Sequence, residues 1–361
     1  MSLFISALGT IIGVPLQADT AREESTPALT IAVVGASGNQ GSGVVDALLN
    51  STDFNVRGIT THISDNSKVK ELLSDQSSYV KEGRFEFVEA DLNDRDSLEK
   101  ALKGCCGVFA AFGKGIKAEG ENGEDNEVTQ GKNLVDAAKA CDIRHFVYSS
   151  LPSIDKLSGG QFRNVSFFEA KAKVEEYAKE QLKCVTILIP GVFYSNLDLP
   201  MWANFEDHIL IVGNPHRSYT EIGWVDEKYD IGRFAAAVFN KGMKVTGGKT
   251  YPVNCPPLSN IDFTKLYTQL TGEPADYKPA PIQDTRAVVA KTVGEDAVDG
   301  IMEMFAFLDS MHPSPCAYGV GYIDQDTSFE DLGVRATNPE DFFRNSGWRI
   351  RKSSVDTSEQ I

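Results

Sequence analysis

The chain has 361 residues, 42% of them hydrophobic, and 35 Lys and Arg against 51 Asp and Glu give a formal net charge of −16. This length and apolar content suit one large domain or two interlocked lobes, whereas so acidic a surface disfavours direct binding to DNA, RNA or an anionic membrane. Six scattered cysteines without a C-x-x-C pair are expected to be reduced thiols of an intracellular protein, with no zinc site.

Residues 1–28 precede the first predicted strand and are expected to form a mobile or loosely packed arm. Positions 3–16 are apolar, yet they lack the preceding Lys or Arg of a signal peptide. The apolar stretch is also shorter than the roughly 20 residues that cross a membrane. The sequence therefore predicts a cytoplasmic protein, which would also enter the nucleus if it acted as a regulator.

The first strand is predicted at Thr30–Val34, and a glycine turn follows it. Gly35, Gly38 and Gly41 are spaced three residues apart, and an apolar helical pattern begins at Ser42. In such a turn the first glycine permits the bend, the second lets a pyrophosphate approach the backbone, and the third lets helix and strand pack closely. The pyrophosphate then meets free N–H groups at the positive end of the helix. The pattern predicts a dinucleotide-binding βαβ unit.

Short β-branched runs alternate with helical patterns from residue 30 to residue 190. This alternation predicts an α/β protein with a Rossmann-type, doubly wound parallel sheet. The segment 113–127 is rich in glycine and acidic residues and is predicted as a solvated loop. We predict strands at 30–34, 55–60, 85–89, 107–111, 145–148, 185–189 and 250–254, and helices at 42–50, 69–74, 97–102 (capped by Asp96), 128–140, 168–181, 231–240 (capped by Asp230) and 262–271.

The regular alternation fades after Pro190, where prolines and aromatic residues predict loops. A smaller, loop-rich α/β lobe is therefore expected in the C-terminal part, covering the carboxyl ends of the strands and forming a substrate cleft there. The predicted division is a Rossmann domain at 29–196, to which elements near 225–255 return, a substrate or partner lobe at 197–224 and 256–350, and a tail at 351–361.

Four stretches of the chain occur in the order and spacing of one protein family. They are VVGASGNQG at 33–41, EVTQGKNLVDAAKACDIRHFVYSSL at 127–151, FFEAKAKVEEY at 167–177 and IPGVFYSN at 189–196. With them the chain resembles the NmrA-like family of atypical short-chain dehydrogenases/reductases and the related isoflavone-reductase-like enzymes. The resemblance spans most of residues 29–260, and roughly the last 90 residues carry little of it.

The resemblance implies where a dinucleotide would lie. Its pyrophosphate is expected at the glycine turn, and its other parts beside the ends of strands three to six. The residues implied are Gly35, Ser37, Gly38, Asn39, Gln40 and Gly41 at the pyrophosphate, Asp91 and Leu92 at the adenine, Ala110 to Phe112 at the ribose, and Ser149 and Pro190 to Phe193 at the nicotinamide.

Lys171 is the residue on which the implied chemistry depends. Short-chain dehydrogenases pair the corresponding lysine with a tyrosine four positions earlier, and that position is Phe167 here, whose ring has no proton to give. The pattern Phe168-x-x-Lys171 is similar to that of the isoflavone-reductase-like enzymes, in which the lysine itself takes part in catalysis. Two roles stay open for Lys171: proton transfer, directly or through water, and a hydrogen bond to the ribose hydroxyls of the cofactor.

The choice between the two dinucleotides depends on the end of the second strand. NAD-specific members place an acid there for the ribose 2′-hydroxyl, but Thr60-Thr61-His62 has no carboxylate before Asp65. The arginine that NADP-binding relatives usually have near Thr61 is also missing. Thr61, His62 and Lys68 are expected to hold a 2′-phosphate together, so NADP(H) is favoured over NAD(H).

Two functions follow from these features and stay open at this point. One is an NAD(P)H-dependent reductase of a small apolar or aromatic molecule, with Lys171 assisting proton transfer. The alternative, favoured by Phe167, is a non-catalytic redox sensor that acts through a protein partner.

No metal site is expected, because His208 and His216 lack a nearby cysteine. Packing, with a role in the site as the alternative, is expected for Tyr148, Tyr177, Tyr194, Trp202, Phe205 and Trp224.

Overall fold

The computed structural model describes residues 28–113, 123–206, 209–212, 215, 217, 219–311, 318, 322–323, 325–346 and 348. Apart from Ala28, the predicted N-terminal arm lies outside the described residues, as does the predicted tail at 351–361. His208 and His216 lie outside them as well.

A parallel sheet of seven strands forms the centre of the fold. From edge to edge it consists of residues 250–253, 185–190, 145–149, 105–110, 30–34, 55–60 and 85–89, and every neighbouring pair is parallel. The chain enters at an inner strand, builds one half of the sheet outward and then the other, which is the doubly wound arrangement. The predicted Rossmann-type α/β fold is confirmed. Among the described residues the strands are β1 Thr30–Val34, β2 Asn55–Thr60, β3 Phe85–Glu89, β4 Cys105–Ala110, β5 His145–Ser149, β6 Val185–Pro190, β7 Val192–Phe193, β8 Ala203–Glu206, β9 Ile209–Val212, β10 Glu221–Ile222, β11 Trp224–Val225, β12 Thr250–Val253, β13 Leu258–Ser259 and β14 Ala275–Tyr277.

Helices cover both faces of this sheet. Helices α1 (Asn39–Ser51) and α8 (Tyr229–Lys241) pack on one face, with Val44, Leu48 and Phe234 in the buried core. Helices α4 (Arg95–Leu102), α5 (Gly123–Ala140) and α7 (Ser166–Gln181) pack on the other, with Leu134 and Val174. Strands β5 and β6 are buried at every position, as expected for a parallel sheet that is covered on both sides. The described helices are α1 Asn39–Ser51, α2 Ser67–Asp75, α3 Ser77–Lys81, α4 Arg95–Leu102, α5 Gly123–Ala140, α6 Ile154–Leu157, α7 Ser166–Gln181, α8 Tyr229–Lys241, α9 Met243–Thr246, α10 Asn260–Thr271, α11 Ile282–Val293, α12 Val298–Ser310, α13 Ser328–Leu332 and α14 Pro339–Ser346, with 3₁₀ turns at Tyr194–Asp198 and Glu295–Ala297.

Two predicted helix caps are wrong. The side chain of Asp94, rather than Asp96, accepts the N–H groups of residues 96 and 97 at the start of α4. Asp230 lies inside α8, and its buried carboxylate accepts hydrogen bonds from Asp226 N and Thr337 N instead of capping the helix. Near each of these helix starts the sequence has several acidic residues, and which of them could cap the helix depends on where the backbone turns.

The predicted acidic loop is wrong at its C-terminal end. Helix α5 begins at Gly123, five residues before the predicted start at Val128. Glu127 is therefore helical and 7% exposed, although the sequence predicted a solvated position for it. The reason is tertiary, because α5 packs against α7 and brings Glu127 to a lysine on that helix.

Helices α1 and α8 approach each other at two glycines. A Cβ atom added to Gly43 would overlap the carbonyl oxygen of Lys228, and one added to Gly232 would overlap the carbonyl oxygen of Gly43. Only glycine permits such backbone-to-backbone packing. The first helix of the chain is thus held by a helix almost 200 residues later.

The aromatic residues of the C-terminal part are mostly in its core. Trp202 and Trp224 are each 2% exposed, and Trp202 contacts the ring of Phe305 edge to face. Tyr194 stacks on Trp224 and on Phe342. Packing is thus the role that the structure gives both tryptophans. Among the described helices, none is both long and apolar enough to cross a membrane.

A buried histidine makes the stability of the fold depend on pH. His145 Nε2 lies 2.8 Å from the Thr186 hydroxyl, which itself donates to Thr246 O, so the ring must be the donor. Burial lowers the pKa of His145 to about 4, below its value of about 6.5 in an unfolded chain. The unfolded chain therefore binds a proton first, and the contribution to stability that is present above pH 6.5 is lost as the pH falls towards 4.

We expect this loss to be visible in urea unfolding. Between pH 7 and pH 4.5 the free energy of unfolding should fall by about 2 kcal/mol more in the wild type than in His145→Gln. Comparing the two proteins removes the part of the pH dependence that comes from carboxylates, because both proteins contain the same carboxylates. His62→Gln, at an exposed position, is the matched control and should follow the wild type. Equal pH slopes for His145→Gln and the wild type would contradict the prediction.

Candidate functional site

The glycine turn after β1 is shaped by two close backbone approaches. Gly35 has φ +79°, and a Cβ atom there would overlap Ala111 O, just past the end of β4. A Cβ atom on Gly41 would overlap the carbonyl oxygen of Gly35. Gly38 is different, because it is exposed and a Cβ atom there would meet only Gly35 O, at 3.2 Å. The first and third glycines therefore serve the fold, and the second leaves the outer face of the turn open.

Helix α1 begins at Asn39, directly above this turn. Gly38 occupies the N-cap position, no side chain among the described residues caps the helix, and its first turn has no acidic residue. The first N–H groups of a helix lack intrahelical partners and attract anions. The start of α1 can therefore receive a phosphate group.

Three polar side chains of the turn are each tied to a different element. Ser37 Oγ lies 3.4 Å from Asn66 Nδ2, at the N-cap of α2. Asn39 Nδ2 donates to Glu227 Oε1 at 3.2 Å, and Gln40 Oε1 accepts the Ser149 hydroxyl at 2.6 Å. The predicted pyrophosphate residues and Ser149 are thus brought together at the carboxyl edge of the sheet.

The residues predicted for the adenosine end lie at the ends of β2 and β3. Thr61 and His62 are exposed, and so is Asp91, whose carboxylate accepts the N–H of Asn93. Leu92 is half-buried, and its carbonyl accepts a bond from α5. An acid that the sequence did not single out, Glu89, accepts Ile63 N at 2.7 Å.

Lys171 on α7 reaches the end of β4. Its Nζ donates to Phe112 O at 2.8 Å and to Glu127 Oε1 at 2.7 Å, and it lies 5.9 Å from the centre of the Phe112 ring. The Lys171 and Glu127 side chains are only 14% and 9% exposed. Lys171 therefore lies beside Phe112, one of the residues predicted at the ribose, as one half of a buried ion pair.

A glycine in the backbone after β4 leaves room for the Glu127 carboxylate. Gly113 has φ +106°, and a Cβ atom there would overlap the carboxylate oxygens of Glu127. One turn further along α5, Gly131 leaves room for Val174 of α7. The two helices therefore approach closely enough for Glu127 and Lys171 to meet.

No tyrosine takes the place of Phe167 beside Lys171 in the described structure. Phe167 is half-buried and packs edge to face on Phe168. The Tyr148 ring lies 5.8 Å from that of Phe112, but its hydroxyl is fully buried without a hydrogen-bond partner among the described residues, and burial raises its pKa well above the usual value. Tyr148 is therefore unsuited to exchange protons near neutral pH.

The end of β6 closes the site on the remaining side. Pro190 is buried, its carbonyl accepts the Tyr318 hydroxyl at 3.0 Å, and Phe193 is half-buried in β7. β7 pairs in parallel with β11, so these residues connect the sheet to the C-terminal part. Of the predicted nicotinamide residues, Ser149 and Pro190 are the last residues of β5 and β6, neighbours in the sheet, and Phe193 is the last residue of β7.

Two acids of the site, Glu127 and Glu227, were missed in the sequence. For Glu127 the nearby Gly131 leaves room for Val174 of α7, but it does not identify which acid of the stretch is buried. For Glu227 no local signal exists, because its partner Asn39 is 188 positions away. No group of three His, Cys, Asp or Glu in the described part of the chain could hold a metal ion.

Comparisons with known proteins agree with this fold. A family model described as the NmrA-like family matches residues 27–340. An NmrA-like family domain-containing oxidoreductase of Aspergillus japonicus, himF, is 30% identical over 294 residues, which cover 77% of this chain and 82% of that protein.

Two solved structures have the same fold at low identity. NmrA, a negative transcriptional regulator, in complex with NAD has a TM-score of 0.68 at 18% identity, covering 89% of this chain and 95% of NmrA. The triphenylmethane reductase of Citrobacter sp. complexed with NADP(H) has a TM-score of 0.63 at 17% identity, covering 87% of this chain and 99% of the reductase.

Proposed function

The chain belongs to the NmrA-like family, and from this premise we propose that it is an NAD(P)H-dependent reductase of a small apolar or aromatic molecule. The observation that carries the proposal is the buried Lys171 ammonium at the carboxyl edge of the sheet, beside the end of β4. The oxidoreductase named for the Aspergillus relative supports a redox role.

The dinucleotide is proposed to lie along this edge. Its pyrophosphate would bind the open N–H groups of Asn39 and Gln40, its adenosine would lie towards Thr61 and Asp91, and its nicotinamide towards Ser149 and Pro190. The bonds from Ser37, Asn39 and Gln40 to other elements keep the side chains of the turn away from the backbone face that a phosphate would approach.

When bound, the cofactor supplies a hydride to a C=C, C=N or C=O carbon of the acceptor. Lys171, or a water molecule held by it, supplies the proton to the atom at the other end of that double bond. Glu127 holds the ammonium in place, and the Phe112 ring provides apolar surface beside it. An apolar or aromatic acceptor fits these surroundings.

We propose NADP(H) as the preferred cofactor. Thr61, His62 and Lys68 are all exposed beside the end of β2 and are free to approach a 2′-phosphate, whereas the nearby Glu89 carboxylate is engaged by Ile63 N. In calorimetric titration, NADPH is expected to bind more tightly than NADH.

The same titrations test the residues behind this preference. His62→Ala and Lys68→Ala should each weaken NADPH binding roughly 3- to 10-fold and leave NADH binding unchanged. Lys70→Ala, at an exposed position on the helix that carries Lys68, is the matched control. NADH affinity equal to NADPH affinity would overturn the preference, and no binding of any dinucleotide would overturn the proposed function itself.

A second candidate function is a redox sensor without turnover. Phe167 favours it, since the usual tyrosine acid is missing, and so does the likeness to NmrA, a negative transcriptional regulator. A sensor of this kind would pass the state of the bound dinucleotide to a protein partner.

A further inference from the structure

Glu227 places a buried carboxylate next to the start of α1. Its side chain accepts a hydrogen bond from Asn39 Nδ2 at 3.2 Å and another from the Ser195 hydroxyl, and the residue is 6% exposed. Burial raises its pKa above the usual value for glutamate. A negative charge at this place is unexpected, because the same helix start is the proposed site of a pyrophosphate.

The backbone around Glu227 is fixed against α1. The carbonyl of the next residue, Lys228, lies so close to Gly43 that no Cβ atom would fit there. The bond from Asn39 therefore joins the first residue of α1 to a rigid neighbour, and Ser195 joins Glu227 to the 3₁₀ turn that follows Phe193. The carboxylate has little freedom to turn away when an anion binds.

Among the described residues, no cation forms an ion pair with Glu227. Its neighbour Asp226 has the same sign and further raises the pKa of Glu227. Of the nearby cations, Lys228 pairs with Asp46 of α1 at 3.9 Å, and Arg233 pairs with the buried Asp230 of α8. The groups that contact Glu227 from α1 and from the 3₁₀ turn, Asn39 and Ser195, are neutral.

We propose that Glu227 is a positioning residue of the phosphate-binding turn, which orients Asn39 and whose charge makes the affinity for an anionic dinucleotide fall as the pH rises. The inference rests on the proposed dinucleotide site. Protonated Glu227 still holds Asn39 but no longer repels the pyrophosphate, so binding takes up a proton. Ionised Glu227 holds Asn39 at the cost of that repulsion.

Calorimetric titration with NAD⁺ from about pH 5, just above the ordinary pKa of glutamate, to about pH 8.5 tests this. The charge of the NAD⁺ pyrophosphate is constant over this range, and NAD⁺ has no 2′-phosphate. Wild-type affinity should fall roughly 5- to 20-fold as the pH rises. Glu227→Gln should bind NAD⁺ at high pH as tightly as the wild type does at low pH. Titrations in two buffers of different ionisation heat should show proton uptake for the wild type and none for Glu227→Gln.

Two further variants separate charge from positioning. Glu227→Ala removes both, so it should bind NAD⁺ several-fold more weakly than Glu227→Gln at every pH. Glu221→Gln, at an exposed position, should behave as the wild type. The inference is overturned if Glu227→Gln keeps the wild-type pH dependence and proton uptake. If neither NAD⁺ nor NADP⁺ binds the wild type at any pH, the proposed function fails instead.

Discussion

Replacing Lys171 by methionine is expected to lower the rate of NADPH-dependent reduction by roughly two to four orders of magnitude, the usual range for the loss of a general acid. Methionine keeps the length of the side chain but has no proton to donate. NADPH affinity should change less than about 10-fold if proton transfer is the main role of the lysine. The measurement is kcat and Kd on an acceptor found by screening apolar and aromatic ketones, imines and activated alkenes.

The buried partner of Lys171 requires a control for stability. Removing the ammonium leaves the Glu127 carboxylate buried without a counter-charge, which costs about 3–5 kcal/mol. The double variant Lys171→Met with Glu127→Gln should therefore regain stability without regaining turnover. Lys173→Met, at an exposed position on the same helix, is the matched control and should keep both the stability and the turnover of the wild type.

Other outcomes would assign Lys171 differently. If Lys171→Met reduces the acceptor at the wild-type rate, the lysine is not the proton donor. If NADPH affinity collapses, the lysine mainly anchors the ribose. A wild type that binds NADPH but turns over no acceptor in the panel would favour the sensor.

Alanine substitutions at Gly38 and Gly41, in the glycine turn after β1, are expected to have different effects: one on cofactor binding and the other on stability. Gly38→Ala should weaken NADPH binding by at least roughly 30-fold, because the new methyl group lies on the open face that the pyrophosphate must approach. Its stability should change little, since Gly38 is exposed with φ −82° and ψ 170°, a conformation that any residue adopts.

Gly41→Ala should instead lower the free energy of unfolding by at least about 3 kcal/mol, because its Cβ atom would overlap the backbone of Gly35. Thermal unfolding and calorimetric titration of both variants provide the measurements. Normal NADPH binding by Gly38→Ala would contradict the proposed position of the pyrophosphate. A stable Gly41→Ala would contradict the packing of the turn.

The sheet was predictable because each of its strands carries its own signal. The bounds of β1, β2 and β3 agree with prediction to the residue, since short β-branched runs end at glycine, polar or acidic residues. Helix starts were less predictable. Helix α1 begins at Asn39 rather than at Ser42, because the polar residues Asn39 and Gln40 are held in the helix by partners on other elements.

The candidate site divides in the same way. The glycines and Lys171 occur in local patterns, so sequence and family resemblance indicated them together. The roles of Glu127 and Glu227 depend on their partners Lys171 and Asn39, which lie 44 and 188 positions away in the sequence. Each belongs to an acid-rich stretch in a chain of net charge −16, and in such a stretch the sequence does not distinguish a buried acid from its solvated neighbours.

The interlocked glycines Gly43 and Gly232 also determine how the polypeptide can be divided. A fragment that ends at residue 196 would contain the whole glycine turn, yet it would lack α8, which packs against α1, and β12, which completes the sheet. The side of α1 that packs against α8 would then face water. The dinucleotide half is therefore not a portable module, and any chimera that exchanges the substrate lobe must keep residues 224–253 with the N-terminal part.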